Sequence, residues 1–81
     1  MRKRLENALT RAELEYRPAT MNDGTPVIIV DTNYPGPYPT RESAAKSAAA
    51  ARIARARGLK WENRGFYTAV YIYLPKEEKT A

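Results

Sequence analysis

The chain has 81 residues, 14 Lys+Arg against 9 Asp+Glu, and a formal net charge of +5. It has no cysteine and no histidine, which removes disulfides, thiolate nucleophiles and the commonest general base and metal ligand. Apolar types make up 43% of residues, enough to argue against wholesale disorder in a single small domain.

The first segment, 2–16, reads as a helix. Leu5, Ala8, Leu9, Ala12 and Tyr16 recur at three and four, which builds one apolar stripe. Arg2, Lys3 and Arg4 crowd the end where the helix dipole is positive, so the first turn is expected to fray. Pro18 biases Arg17 away from helix and sets the latest possible end.

Asn22-Asp23-Gly24 predicts a tight hairpin turn, because Asp-Gly tolerates positive φ. The strand before it, from Arg17 to Met21, contains Pro18 and is an edge at best. The strand after it carries Val27-Ile28-Ile29-Val30, four β-branched residues with no polar break, which suits burial on both faces. Tyr34-Pro35-Gly36-Pro37-Tyr38-Pro39 then reads as a stiff, polyproline-like connector.

Thr40 is a good N-cap for a second helix over 41–57, with Gly58 at the residue just past its end. At 100° per residue three faces separate. Ala45, Ala49, Ile53 and Ala56 form one, Arg41, Arg52 and Arg55 a second, and Ser43, Ser47, Ala50 and Ala54 a third. The segment from Leu59 to Glu62, a turn at Asn63-Arg64-Gly65, and the segment from Phe66 to Leu74 predict a second hairpin. Along its last strand Phe66, Thr68, Val70, Ile72 and Leu74 share one face; Tyr67, Ala69, Tyr71 and Tyr73 share the other. Pro75 ends the strand, and 76–81 reads as a charged, disordered tail to a domain over 1–75.

The order α-β-β-α-β-β predicts an α+β fold: a small, mainly antiparallel four-stranded sheet packed with two helices. The two αββ units share no obvious sequence repeat. The aliphatic supply is thin, so a marginal core is expected, centred on Val27, Ile29, Ile53, Val70 and Ile72.

Catalysis has few means here. The glycines at 24, 36, 58 and 65 make no phosphate-binding loop, and Asp23 and Asp31 have no helical context linking them. The chain is read as non-enzymatic, with no cofactor and no metal. It has no run long enough to span a bilayer and no secretory h-region, so a cytoplasmic protein without a membrane partner is expected.

Two surfaces stand out. Tyr67, Tyr71 and Tyr73, with Arg64 at the preceding turn, form a candidate partner-binding face, since tyrosine is enriched at interfaces and also stacks on bases. Arg41, Arg52 and Arg55 on the second helix form a candidate phosphate- or partner-binding face. Arg64-Gly65-Phe66 matches the start of an RNA-recognition signature, but Tyr67, Thr68 and Ala69 break it and the element order is wrong for that fold.

The Arg/Ala-rich composition, the size, and the stretch Thr40-Arg41-Glu42-Ser43-Ala44-Ala45-Lys46-Ser47-Ala48-Ala49 resemble the small anti-CRISPR proteins of phages and mobile elements. Those proteins share no single fold or site, so no residue roles carry over. The net charge of +5 departs from the acidic DNA mimics among them. The resemblance implies an inhibitor that occludes a bacterial CRISPR-Cas effector, a protein or ribonucleoprotein partner. The alternative is a small basic nucleic-acid-binding protein using the basic helix and the tyrosine face.

Overall fold

A computed structural model describes residues 2–32, 40–64 and 69–75. Its elements are α1 (Arg2–Arg11), β1 (Glu15–Thr20), β2 (Pro26–Asp31), α2 (Arg41–Ala56), β3 (Lys60–Arg64) and β4 (Ala69–Tyr73). The four strands form one antiparallel sheet in the order β1-β2-β4-β3. The α+β architecture and element order are those expected from the sequence. Gly65 to Thr68, the connector at 33–39 and the tail at 76–81 lie outside the described residues.

The first helix is shorter than its apolar stripe suggests. It stops at Arg11, and Tyr16 lies in β1 instead. The stop is a Schellman motif. Glu13 adopts φ 61, its N–H bonds to the Thr10 carbonyl at 2.9 Å, and the Leu14 N–H reaches the Leu9 carbonyl at 3.0 Å. Ala12, expected in the stripe, is exposed. α2 ends the same way. Gly58 has φ 68, and the Leu59 N–H bonds to the Ala54 carbonyl at 2.9 Å. Its start is the expected Thr40 cap, completed by Ser43: each side chain accepts from the other's backbone N–H, at 3.0 and 2.9 Å.

The first hairpin closes with three loop residues, Asn22, Asp23 and Gly24, at the expected turn. The Met21 N–H bonds to the Thr25 carbonyl at 2.8 Å, and Gly24 alone takes positive φ, at 90°. The Asp23 carboxylate accepts the Thr25 N–H at 2.9 Å, which fixes the loop. In the second hairpin, Asn63 and Arg64 belong to β3 and not to the turn.

Both helices lie on one face of the sheet. The core gathers Leu5, Leu9 and Leu14 with Ile28 and Val30, Ala50 and Ala54, and Leu59, Val70, Ile72 and Leu74. This corrects the expected core at three residues. Ile29 and Ile53 are only half-buried, and Val27 is buried but stands outside the core cluster. The face of α2 turned inward is the small-residue one: Ser43, Ala50, Ala51 and Ala54 are its buried positions. Side chains this short let the helix axis come close to the sheet, while each buries little apolar area.

The chain also holds an internal repeat that its residue types hide. The β1-β2 and β3-β4 hairpins flank the central β2-β4 pair symmetrically. Leu14 and Leu59, each next after the left-handed residue, are both buried, and Tyr16 and Trp61 both pack against the core. Ile28, Val30 and Thr32 correspond to Val70, Ile72 and Leu74, and all six are buried. The two αββ units are thus related by a pseudo-twofold axis between β2 and β4.

Candidate protein-binding face

Alternation along each strand decides what the second face of the sheet carries. Tyr16, Ile28, Val30, Trp61, Val70 and Ile72 turn toward the helices. Their neighbours turn away, and the strand register arranges them in three rows. Glu15, Asp31, Ala69 and Arg64 form the first; Arg17, Ile29, Tyr71 and Glu62 the second; Ala19, Val27, Tyr73 and Lys60 the third. α1 contacts β1 and α2 through the core side, so it does not cover the tyrosines.

Of the residues expected to form the binding face, Tyr71, Tyr73 and Arg64 come together here. Tyr67 lies outside the described residues. The Arg64 guanidinium carbon stands 4.9 Å from the centroid of the Tyr71 ring, a cation–π contact. Its Nε lies 3.9 Å from Oε2 of Glu62, a loose ion pair with both side chains well exposed. The Tyr73 hydroxyl donates to Oε1 of Glu62 at 2.6 Å. That bond holds the Tyr73 hydroxyl above its ordinary pKa, because the tyrosinate would lose it; burial and the Glu62 charge push the same way, and Arg64 opposes them. One carboxylate therefore holds two of the face's large side chains in place.

The sequence pattern pointed to the tyrosines because alternation is strong along β4. It did not single out Glu62 as the organising group, nor Arg17, Ile29 and Lys60 as members of the same face. They belong to three different strands, and only cross-strand register brings them alongside.

Arg52 and Arg55 sit elsewhere. They are exposed on α2 and line a groove of about 560 Å³ between that helix and β3, together with Ala44, Ala48, Ala51 and Trp61. Ser47 donates to Oδ1 of Asn63 at 2.7 Å and ties the helix to the edge strand there. Arg41 is exposed at the start of α2 and does not line the groove. The basic set and the tyrosine set thus lie on opposite faces of the sheet.

Among the described residues, no group of three or more acidic side chains is placed to hold a metal ion. No helix among them is long and apolar enough to cross a membrane. No protein-family model, no curated protein and no solved structure matches this chain.

Proposed function

We propose that this chain is a non-catalytic binding protein whose open sheet face docks on a protein, and that it acts as an anti-CRISPR-like inhibitor. The observation that carries the protein-binding reading is Glu62. It is interleaved with Tyr71, Tyr73 and Arg64, and Glu15 and Asp31 stand in the first row of the same face. Phosphates tracking across the tyrosines would meet carboxylates, which opposes nucleic acid. A protein surface with its own mixture of charges fits such a face, and tyrosine supplies contact area at low entropic cost. The choice of a CRISPR-Cas effector as target comes from the sequence resemblance around Thr40 to Ala49. On this reading the chain works in the cytoplasm of a host bacterium and occludes a protein or ribonucleoprotein.

The test is phage plating on bacteria with an active, phage-targeting CRISPR-Cas system. Expression of the wild-type chain should restore plating, and Tyr71→Ala with Tyr73→Ala should abolish the effect. No restoration against any effector type sinks the inhibitor reading. A second reading, nucleic-acid binding, is favoured by Arg52 and Arg55 beside Trp61 in the groove. It predicts that capture of the chain's partner is lost on nuclease treatment.

A further inference from the structure

We infer that the open sheet face is also an interface with a second copy of this chain, the two sheets packed face to face about a twofold axis running along the strands between β2 and β4. This inference rests on reading that face as a protein interface.

Its basis is a reversal of charge between the two halves of the sheet. On β1 the outward positions read Glu15, Arg17, Ala19; on β3, in the same three rows, they read Arg64, Glu62, Lys60. A twofold axis along the strands lays β1 over β3 of the partner subunit without changing rows. Glu15 then faces Arg64 of the partner subunit, and Arg17 faces Glu62 of the partner subunit. Symmetry makes each of these pairs twice. In the centre Ile29 meets Tyr71 of the partner subunit, and Val27 meets Tyr73 of the partner subunit. Lys60 falls opposite an alanine at the rim, where it stays in water.

The other in-plane axis, running across the strands, fails on the same residues. It lays β3 over β3, so Glu62 meets its own copy and Lys60 meets Arg64 of the partner subunit. It also lays Arg17 on Arg17. Like charges at those positions repel, so the charge pattern selects one of the two arrangements. Two sheets packed this way lie about 10 Å apart with strands offset by roughly 30°.

The face is small. Four strands about 4.8 Å apart and five residues at about 3.4 Å give a footprint of roughly 300–400 Å². A standard stable interface takes about 800 Å² per partner, so the dimer is expected to be weak, with Kd in the range of about 10 μM to 1 mM.

Sedimentation equilibrium of the full chain at low salt, up to about 1 mM, tests this. Wild type should show a reversible monomer–dimer equilibrium. Glu15→Arg alone, or Arg64→Glu alone, should weaken it by roughly 5- to 30-fold, since each sets two pairs of like charges face to face. An equimolar mixture of the two variants should restore it, because every facing pair is then again of opposite sign. If either variant loses its fold by circular dichroism, Arg17→Glu and Glu62→Arg provide the same exchange. A monomer at every concentration overturns the inference, as does a dimer that the single variants leave unchanged or the mixture fails to restore. If the chain is monomeric but Tyr71→Ala with Tyr73→Ala still abolishes phage restoration, the second copy is excluded and the effector reading stands. A dimer without phage restoration does the reverse.

Discussion

Tyr73 and Glu62 are diagonal neighbours across the β3-β4 ladder, and the tyrosine hydroxyl donates to the carboxylate at 2.6 Å. The same carboxylate carries the loose ion pair to Arg64, which in turn rests on Tyr71. Glu62 therefore connects the cationic and aromatic parts of the face.

The hydroxyl's raised pKa has a direction in stability. The neutral phenol is the favoured form in the folded chain. Its contribution is fully present below the unfolded tyrosine value of about 10 and is lost as pH rises through the higher folded value. Glu62→Gln removes the negative charge and should bring Tyr73 back toward about 10. A ¹³C-tyrosine NMR titration reads this residue by residue. An unchanged Tyr73 titration in the variant would show that the bond does not persist in solution.

Much of the architecture was legible in local sequence signals. Pro18, Asp23-Gly24, Thr40 and Gly58 each mark an element's position or boundary through backbone chemistry that tertiary packing does not override. The end of α1 was not legible, because Glu13 takes a left-handed conformation that glycine normally marks. The internal repeat was hidden for a similar reason. Burial pattern and backbone geometry repeat while residue types do not: Leu9 and Ala54 occupy equivalent Schellman positions, as do Glu13 and Gly58. The tyrosine face could be read from alternation within β4, but its charged surround depends on pairing between strands far apart in sequence.

Glu13 offers a test of that hidden symmetry. A non-glycine residue in the left-handed region costs about 1–2 kcal/mol, partly offset by the unfolded-state entropy glycine would add. Glu13→Gly should stabilise the fold by roughly 0.5–1 kcal/mol. Gly58→Ala should destabilise by roughly 1 kcal/mol through the backbone alone, since a Cβ there meets nothing within 4 Å. Urea denaturation of both variants is the check. If Glu13→Gly destabilises, the α1 terminus does not have this geometry in solution.

The core ranks its own residues. Leu9 is fully buried and sits under the α1 terminus, whereas Ile53 is half-buried at the margin. Leu9→Ala should cost about 2–5 kcal/mol, enough to unfold much of the population of so small a domain. Ile53→Ala should cost distinctly less, because water already reaches that side chain. Melting curves that place Ile53→Ala below Leu9→Ala would mean that α2 packs on the sheet by its other apolar face.

The arginines of α2 set the last expectation, for nucleic acid. Arg52 and Arg55 are one helical turn apart, but Arg41 lies about 16 Å down the axis, so the helix can meet about three phosphates at most. The logarithmic salt slope of any binding should then be about −2 to −3, a loss of roughly 15- to 65-fold between about 50 and 200 mM salt. Arg52→Ala should reduce that slope by about one and weaken all sequences alike, because phosphate contacts carry no base information. Tyr71→Ala should leave it unchanged, since the tyrosine face lies on the opposite side of the sheet from α2. Fluorescence anisotropy with single-stranded and duplex oligonucleotides across that salt range measures all three. A nanomolar complex at about 150 mM salt, with clear sequence preference, would overturn the protein-binding reading. It would move the functional surface to the groove beside Trp61.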